Sequence, residues 1–321
     1  MVMRAPTIWT TLALLVALLG HSAAARAAPL TAEVTSAQRA PLVGKTIATR
    51  VEGDETLTEV ARRSGLGYLA VTRANPGVDP WRPGSGRKIV LPGATILPYP
   101  LLPGITINLA EFRLYFVSLD QERIRVRIYP VAIGSEEHQT PEGNFSVVNK
   151  IVAPNWTVPA DIRRDRPGLP RVVPTGPDNP LGDFWIGLSR DGYGIHGTNE
   201  PYGVGRRTTH GCIRLYPEDI RDLFPLVKRG TPVRILYQPI KLGLQQGQLL
   251  AEVHDDFLGR LGGSLTEFLL QQRLLNWQGR LDMDRAQALC DDPRGIPVIL
   301  SPFPSTPPRR EDPKWTARRY D

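Results

Sequence analysis

The sequence predicts a mainly β protein with some α structure, and three observations carry that expectation. Short segments alternate in polarity: Ile105-Thr-Ile-Asn-Leu109, Phe112-Arg-Leu-Tyr-Phe116 and Ile124-Arg-Val-Arg-Ile-Tyr129. A period of two is the mark of half-buried strands. Proline (31) and glycine (30) are abundant, which favours many turns over long helices. Helical spacing is confined to short runs such as Leu57, Val60 and Ala61. The expected arrangement is a set of antiparallel strands in a β-sandwich. With 321 residues, 41% hydrophobic and 22% charged, the chain can build two or three ordinary globular domains.

Residues 1–27 read as a signal peptide. Arg4 supplies a positive start, Ile8 to Leu19 an apolar run too short to span a bilayer comfortably, and Ala25-Arg26-Ala27 a small-x-small cleavage site. The expectation is an exported protein, periplasmic where the cell has that space, with no membrane span after cleavage. No cysteine stands near the cleavage site, so lipid attachment is not supported. Residues 28–45 show no clear period and read as a linker.

Residues 46–93 read as a small βααβ module. Val51-Glu-Gly-Asp-Glu-Thr-Leu57 ends a strand, and Asp54 or Thr56 can cap the helix that follows. Leu69 to Asn75 forms a second helix, stopped at Asn75-Pro76. Trp81-Arg-Pro-Gly84 turns the chain, and Lys88-Ile-Val-Leu-Pro92 closes it. The order Gly-Asp-x-x-Leu, Asn-Pro, Pro-Gly, strand, Pro resembles a LysM module. That resemblance implies binding to the glycan of peptidoglycan; a packing domain without sugar binding is the alternative.

Residues 102–237 hold the alternating strands above. Ala110-Glu111 is expected as a hairpin turn, and Phe145 to Val152 and Phe184 to Leu188 as further strands. Pro154 to Gly182 carries no regular pattern and reads as a long loop, one wall or lid of a groove. Trp156 and Trp185 can pack there or serve as core aromatics. Pro217 suits the first turn of a helix ending before Gly230, and that helix's N-terminal dipole lies near Cys212 in sequence.

Residues 238–302 are expected as an α/β appendage: a hairpin over 240–253, helices over 263–276 and 282–291, and a strand over 295–301. Leu265, Phe268, Leu269 and Leu274 would share one helix side. Residues 303–321 read as a disordered tail.

The stretch from Tyr193 to Leu215 concentrates the chemistry. It contains Ile195-His-Gly-Thr198 and Thr209-His-Gly-Cys-Ile-Arg-Leu215, with two of the five histidines and one of two cysteines. Histidine beside a thiol is the material of a cysteine nucleophile and its base. His210 and Arg214 offer the electropositive setting that a thiolate needs. Gly211 lets a substrate carbonyl approach the backbone. His196, His210 and Cys212 also supply three potential zinc ligands, but no fourth ligand stands at a convincing spacing. Neither a metal nor another cofactor is therefore expected. In an oxidising compartment Cys212 and Cys290 could pair; a nucleophile so bound would be inactive, so both are expected free.

These segments resemble the L,D-transpeptidases with a YkuD-type catalytic domain, whose pattern is a histidine, a spacer, then Ser/Thr-His-Gly-Cys. Thr140-Pro-Glu-Gly-Asn-Phe145, Gly176-Pro-Asp-Asn-Pro-Leu-Gly182 and Gly230-Thr-Pro-Val-Arg-Ile235 resemble further pieces of that domain. Some members carry Asn where this chain has Arg214. The resemblance implies attack by Cys212 on the L–D amide at position three of the peptidoglycan stem peptide. D-Ala leaves, and an amine of another stem peptide or of an outer-membrane lipoprotein accepts the acyl group. His196 is the expected general base. His210 supports the site, the N–H groups of Gly211 and Cys212 are expected to form the oxyanion hole, and Gly197 and Thr209 to position its surroundings. Arg214, Tyr193 and Asn199 are expected at the substrate. An L,D-carboxypeptidase or endopeptidase, and a non-catalytic wall-binding protein, are the competing readings. The net charge of +7 fits an anionic cell wall; an exported protein has no routine nucleic-acid partner.

Overall fold

The computed structural model describes residues 27–35, 37–120, 123–262 and 265–301. The expected signal peptide at 1–27, apart from Ala27, and the expected tail at 303–321 lie outside the described residues. Among the described residues no helix is long and apolar enough to cross a membrane.

Nine strands, labelled β1 to β9 along the chain, form the main sheet. They are β1 (Leu30–Val34), β2 (Gly104–Asn108), β3 (Arg113–Asp120), β4 (Arg123–Pro130), β5 (Gly143–Val152), β6 (Phe184–Leu188), β7 (Gly194–His196), β8 (Ile213–Arg214) and β9 (Pro232–Leu236). Their spatial order is β1-β4-β3-β2-β9-β5-β6-β7-β8. The sheet is mostly antiparallel, as the alternation predicts, but β9–β2 and β7–β8 run parallel. Apolar side chains of β2, β3, β5, β6, β7, β8 and β9 meet in one core cluster. The two layers of the expected sandwich therefore come from one curled sheet. Ile107, Leu114, Ile186 and Ile195 are fully buried there, each contributing about 1.5–3 kcal/mol. The expected turn at Ala110-Glu111 is a 3-10 turn over Leu109–Glu111, closed by Phe112 in the left-handed region at φ 56°.

Two other expectations change. Residues 28–45 are not a plain linker, because β1 pairs with β4 and Leu42–Val43 pairs with Thr95–Ile96. Strand residues that complete another segment's sheet carry little period of their own. The region 154–182 is not featureless either: Trp156–Thr157 pairs with Val172–Val173, with a short helix at Ala160–Asp165 between them.

The βααβ module forms as expected, with strands Thr46–Arg50 and Lys88–Pro92 around helices α1 (Leu57–Arg63) and α2 (Tyr68–Ala74). Thr56 caps α1 in a reciprocal capping box with Glu59. The Asn75 amide ties the end of α2 to the closing strand, donating to Val71 O and Val90 O, both at 2.8 Å, and accepting from Val90 N–H.

The appendage contains the hairpin Ile240–Gln245/Gln248–Val253, a third strand at Val298–Ile299, and helices Thr266–Leu274 and Met283–Asp291. The first of these helices buries Phe268 and Gln271, while Leu269 and Leu274 are exposed. Gln271 replaces them because its amide accepts from Leu242 N–H and donates to Ile240 O, covering a sheet edge.

Module exit, main sheet and appendage meet at a buried charged cluster. Glu111, Arg113, Lys241, Glu252 and His254 are all buried. Lys241 Nζ lies 2.6 Å from Glu111 and 3.1 Å from Glu252. Arg113 lies 3.1 Å from Glu111 and 2.7 Å from Glu252. Among the described residues Glu111, Glu252 and His254 are the one group spaced to hold a metal ion, and Lys241 and Arg113 already balance its carboxylates.

Candidate active site

The register of β6, β7 and β8 builds the site. Trp185 faces His196 and Ile186 faces Ile195; on the other side Ile195 pairs with Ile213 and His196 with Arg214. Alternation sends Ile186, Ile195 and Ile213 into the core, at 0%, 0% and 1% exposure. The same alternation puts Trp185, His196 and Arg214 on the opposite face. Cys212, two residues before Arg214, falls on that face as well. Two glycines make room. A Cβ at Gly194 would stand 2.5 Å from the Trp185 ring, and one at Gly211, where φ is +100°, would stand 2.7 Å from Tyr193 Cε1.

His196 is buried and stacks on Trp185, with ring centroids 5.7 Å apart. Its Nδ1 lies 2.7 Å from Gly197 O. A carbonyl only accepts, so in the neutral ring Nδ1 carries the proton and Nε2 keeps its lone pair. Burial, helped by the Arg214 charge, pushes the His196 pKa down to about 3, against the pull of the Gly197 and Leu181 carbonyls. The ring is neutral at physiological pH.

Cys212 is half-buried and its thiol points to Gly192 O at 3.5 Å. Burial pushes the thiol above its ordinary range, while the Gly194 backbone and Arg214 pull it down without prevailing. The expected resting thiolate is thus replaced by a thiol beside a neutral imidazole. Among the described residues no hydrogen bond joins His196 to Cys212. Both cysteines are free, as expected, and Cys290 sits half-buried on its helix.

Thr209 braces the turn. Its hydroxyl accepts from Gly211 N–H at 3.1 Å and donates to Cys212 O at 2.6 Å. The two expected oxyanion donors therefore differ: the Gly211 N–H is engaged by Thr209, whereas the Cys212 N–H has no partner among the described residues. Gly197 is buried, its N–H donating to Phe184 O at 3.3 Å, so it shapes the backbone behind His196.

Arg214 is largely buried, and burial lowers its pKa. Its nearest carboxylate, on the exposed Glu200, is 3.9 Å away, and its Nε is buried without a hydrogen-bond partner. A guanidinium left unmet beside the thiol suits a substrate carboxylate or carbonyl. Tyr193 packs on Gly211 and lines a small cleft with Thr140, Pro141, Phe145 and Gly194. Asn199 is exposed, and among the described residues it makes no hydrogen bond at the site. The donor atoms of Cys212, His196 and His210 do not converge within 4.8 Å of one another.

Sequence reasoning missed four contributing residues. His138 stacks on His210 at 4.5 Å, and burial and His138 together lower the His210 pKa. Thr140 donates to Gly211 O at 2.9 Å and accepts from Gly134 N–H at 2.9 Å, anchoring the turn from across the sheet. Asp161 and Arg166 act electrostatically on His210, so the short helix at Ala160–Asp165 stands beside the site. Only Thr140, inside its Thr-Pro-x-Gly-x-Phe segment, carried a sequence signal.

Residues 103–235 match the family of YkuD L,D-transpeptidase catalytic domains. Over 271 residues the chain is 36% identical to the probable L,D-transpeptidase YcfS of Escherichia coli K12, covering 80% of this chain and 84% of that protein. It is 35% identical over 318 residues to the probable L,D-transpeptidase ErfK/SrfK of the same organism, covering 93% and 98%. It is also similar to the NMR structure of the catalytic domain of the E. faecium L,D-transpeptidase, at 25% identity and a TM-score of 0.34, covering 43% of this chain and 100% of that one. With the two Escherichia coli proteins matched over most of their length, the chain belongs to the L,D-transpeptidase family.

Proposed function

We propose that this chain is an exported peptidoglycan L,D-transpeptidase with Cys212 as nucleophile. The observation that carries the reading is the shared face of β7 and β8, which gathers a neutral, oriented imidazole, a free thiol and an unmet guanidinium. In the first half-reaction Cys212 Sγ attacks the carbonyl carbon of the residue at stem position three, and His196 Nε2 takes the thiol proton. The free Cys212 N–H donates to the oxyanion. Collapse breaks the amide, leaves a thioester, and passes the proton from His196 to the departing D-Ala amine. An acceptor amine then attacks the thioester and loses a proton to His196. The peptide bond forms, and Cys212 regains that proton as a thiol.

Arg214 holds the stem peptide, and His210 with His138 forms one wall of the groove. The βααβ module binds glycan, and the acceptor amine belongs to another stem peptide or to an outer-membrane lipoprotein. The anionic wall suits the basic chain.

The test is mass spectrometry of the mature protein incubated with disaccharide-tetrapeptide, alongside Cys212→Ala. The expected product is a dimer lacking one D-Ala, absent from the variant. Loss of D-Ala without dimer would instead mark a hydrolase. Unchanged turnover in Cys212→Ala would sink the nucleophile assignment.

A further inference from the structure

The segment joining His196 to Cys212 is clamped from two sides. On one side it pairs with the segment that follows β4, in a separate two-stranded sheet of Arg207–Thr209 with Ile133–Gly134: Gly205 N–H donates to Val131 O at 3.0 Å, Ile133 N–H to Arg206 O at 3.1 Å and Ser135 N–H to Thr209 O at 2.8 Å. On the other side it meets the βααβ module. Helix α2 has no side-chain cap at its N-terminus. Its first N–H groups are satisfied instead by this segment, Tyr68 donating to Val204 O at 3.2 Å and Leu69 to Gly205 O at 3.3 Å. The approach is close enough that a Cβ at Gly205, where φ is +84°, would stand 2.3 Å from Tyr68 N.

Arg206 seals this joint. Its guanidinium lies 3.5 Å from the centroid of the Tyr68 ring and 5.4 Å from that of Trp81. Its Nη2 donates to Thr58 Oγ1 at 3.2 Å. A planar guanidinium can stack on a ring and still donate at its edge, which an ammonium cannot do. Three residues further along, Thr209 braces the Cys212 turn. The chain beyond Cys212 is held by the same module, through Tyr216 Oη donating to Leu66 O at 3.1 Å and Arg62 paired with Glu218 at 3.1 Å.

We infer that Arg206 is a positioning residue for the transpeptidation site, stacked between module and catalytic domain so that the module fixes the Thr209-braced turn carrying Cys212. The βααβ module is then part of the active-site support as well as a wall-binding element. This inference rests on Cys212 being the nucleophile.

The experiment compares full-length Arg206→Ala, Arg206→Lys and Tyr68→Leu with wild type and Cys212→Ala. It measures kcat and KM for the tetrapeptide donor, the rate of Cys212 alkylation and the melting temperature. Arg206→Ala should lower kcat by about tenfold or more, the scale of a misplaced reacting group, with KM unchanged and the alkylation rate altered. Arg206→Lys should recover only part of the loss. Tyr68→Leu, which removes the ring from the module side of the same joint, should reproduce it and carries the test if Arg206→Ala folds poorly. Wild-type kcat and alkylation in folded Arg206 and Tyr68 variants, with only the melting temperature lowered, would overturn the inference while an inactive Cys212→Ala left the nucleophile standing. An active Cys212→Ala would remove both.

Discussion

The charged cluster at the appendage and the group around Cys212, both buried, are built on opposite plans. In the cluster of Glu111, Arg113, Lys241, Glu252 and His254 every charge has a close partner. Burial works against the ionised forms, but for the carboxylate and the lysine the partners prevail: Lys241 and Arg113 hold the Glu252 carboxyl well below its usual range, and Glu111 and Glu252 hold Lys241 above its own, while at His254 burial wins against the pull of Glu252. Beside Cys212 burial wins. His196, the thiol and Arg214 are all pushed towards their neutral forms, and Arg214 Nε goes without a partner. Desolvation penalises any buried charge, and only compensation by neighbours decides the outcome. The compensated group is a joint; the uncompensated one has hydrogen-bonding capacity left for a substrate.

The contrast breaks if the two groups respond alike to mutation. His196→Gln removes the base without adding bulk to the core. It should lower kcat by about 10²–10⁴-fold and leave the urea midpoint near wild type. A steady-state assay beside an equilibrium melt checks both halves; near-wild-type turnover would deny His196 its role.

Glu252→Gln should do the reverse. It strips one carboxylate from two buried cations, and breaking such a buried set costs about 3–5 kcal/mol. The expected result is a large fall in the urea midpoint with kcat per folded molecule unchanged. A shift smaller than the scatter of replicate melts would show the cluster to be dispensable.

The pH dependence sharpens the comparison with a smaller effect. His196 titrates at about 3 in the fold against an ordinary 6.5, so the unfolded chain binds its proton first. Stability should be full above about pH 6.5 and decline as pH falls towards 3. The depressed Glu252 carboxyl acts in the same direction lower down, its contribution present above an ordinary value of 4.5 and lost beneath it. Activity should separate from stability: kcat/KM of the free enzyme should show no acid limb near pH 6.5. Urea melts from pH 8 to 5 would show the stability slope, which His196→Gln should flatten. A clear limb at 6.5 would mean that His196 is solvated in the free enzyme.

Much of the site was legible because its chemistry is local. His196, Thr209, His210, Gly211, Cys212 and Arg214 sit in two short motifs, and the alternation that defines β7 and β8 also puts Cys212, His196 and Arg214 on one face. The hairpins and the βααβ order were legible for the same reason: period and turn residues are properties of neighbours in sequence. His138 gave no signal, since its stacking on His210 joins residues 72 positions apart with no shared pattern. The strand at Leu30–Val34 was hidden because its partner β4 lies some ninety residues away in sequence, and Leu269 misled because Gln271 took the buried position.

The sequence by itself determined most strands of the main sheet, the βααβ order, and the histidine–cysteine motif with its neighbouring cations, since each follows from composition or spacing over a few residues. Only the tertiary structure decided the protonation of His196 and Cys212, the engagement of Gly211 N–H by Thr209, and the seating of Arg206 against Tyr68. Those properties depend on desolvation and on distances between segments far apart in the chain, which no local pattern encodes.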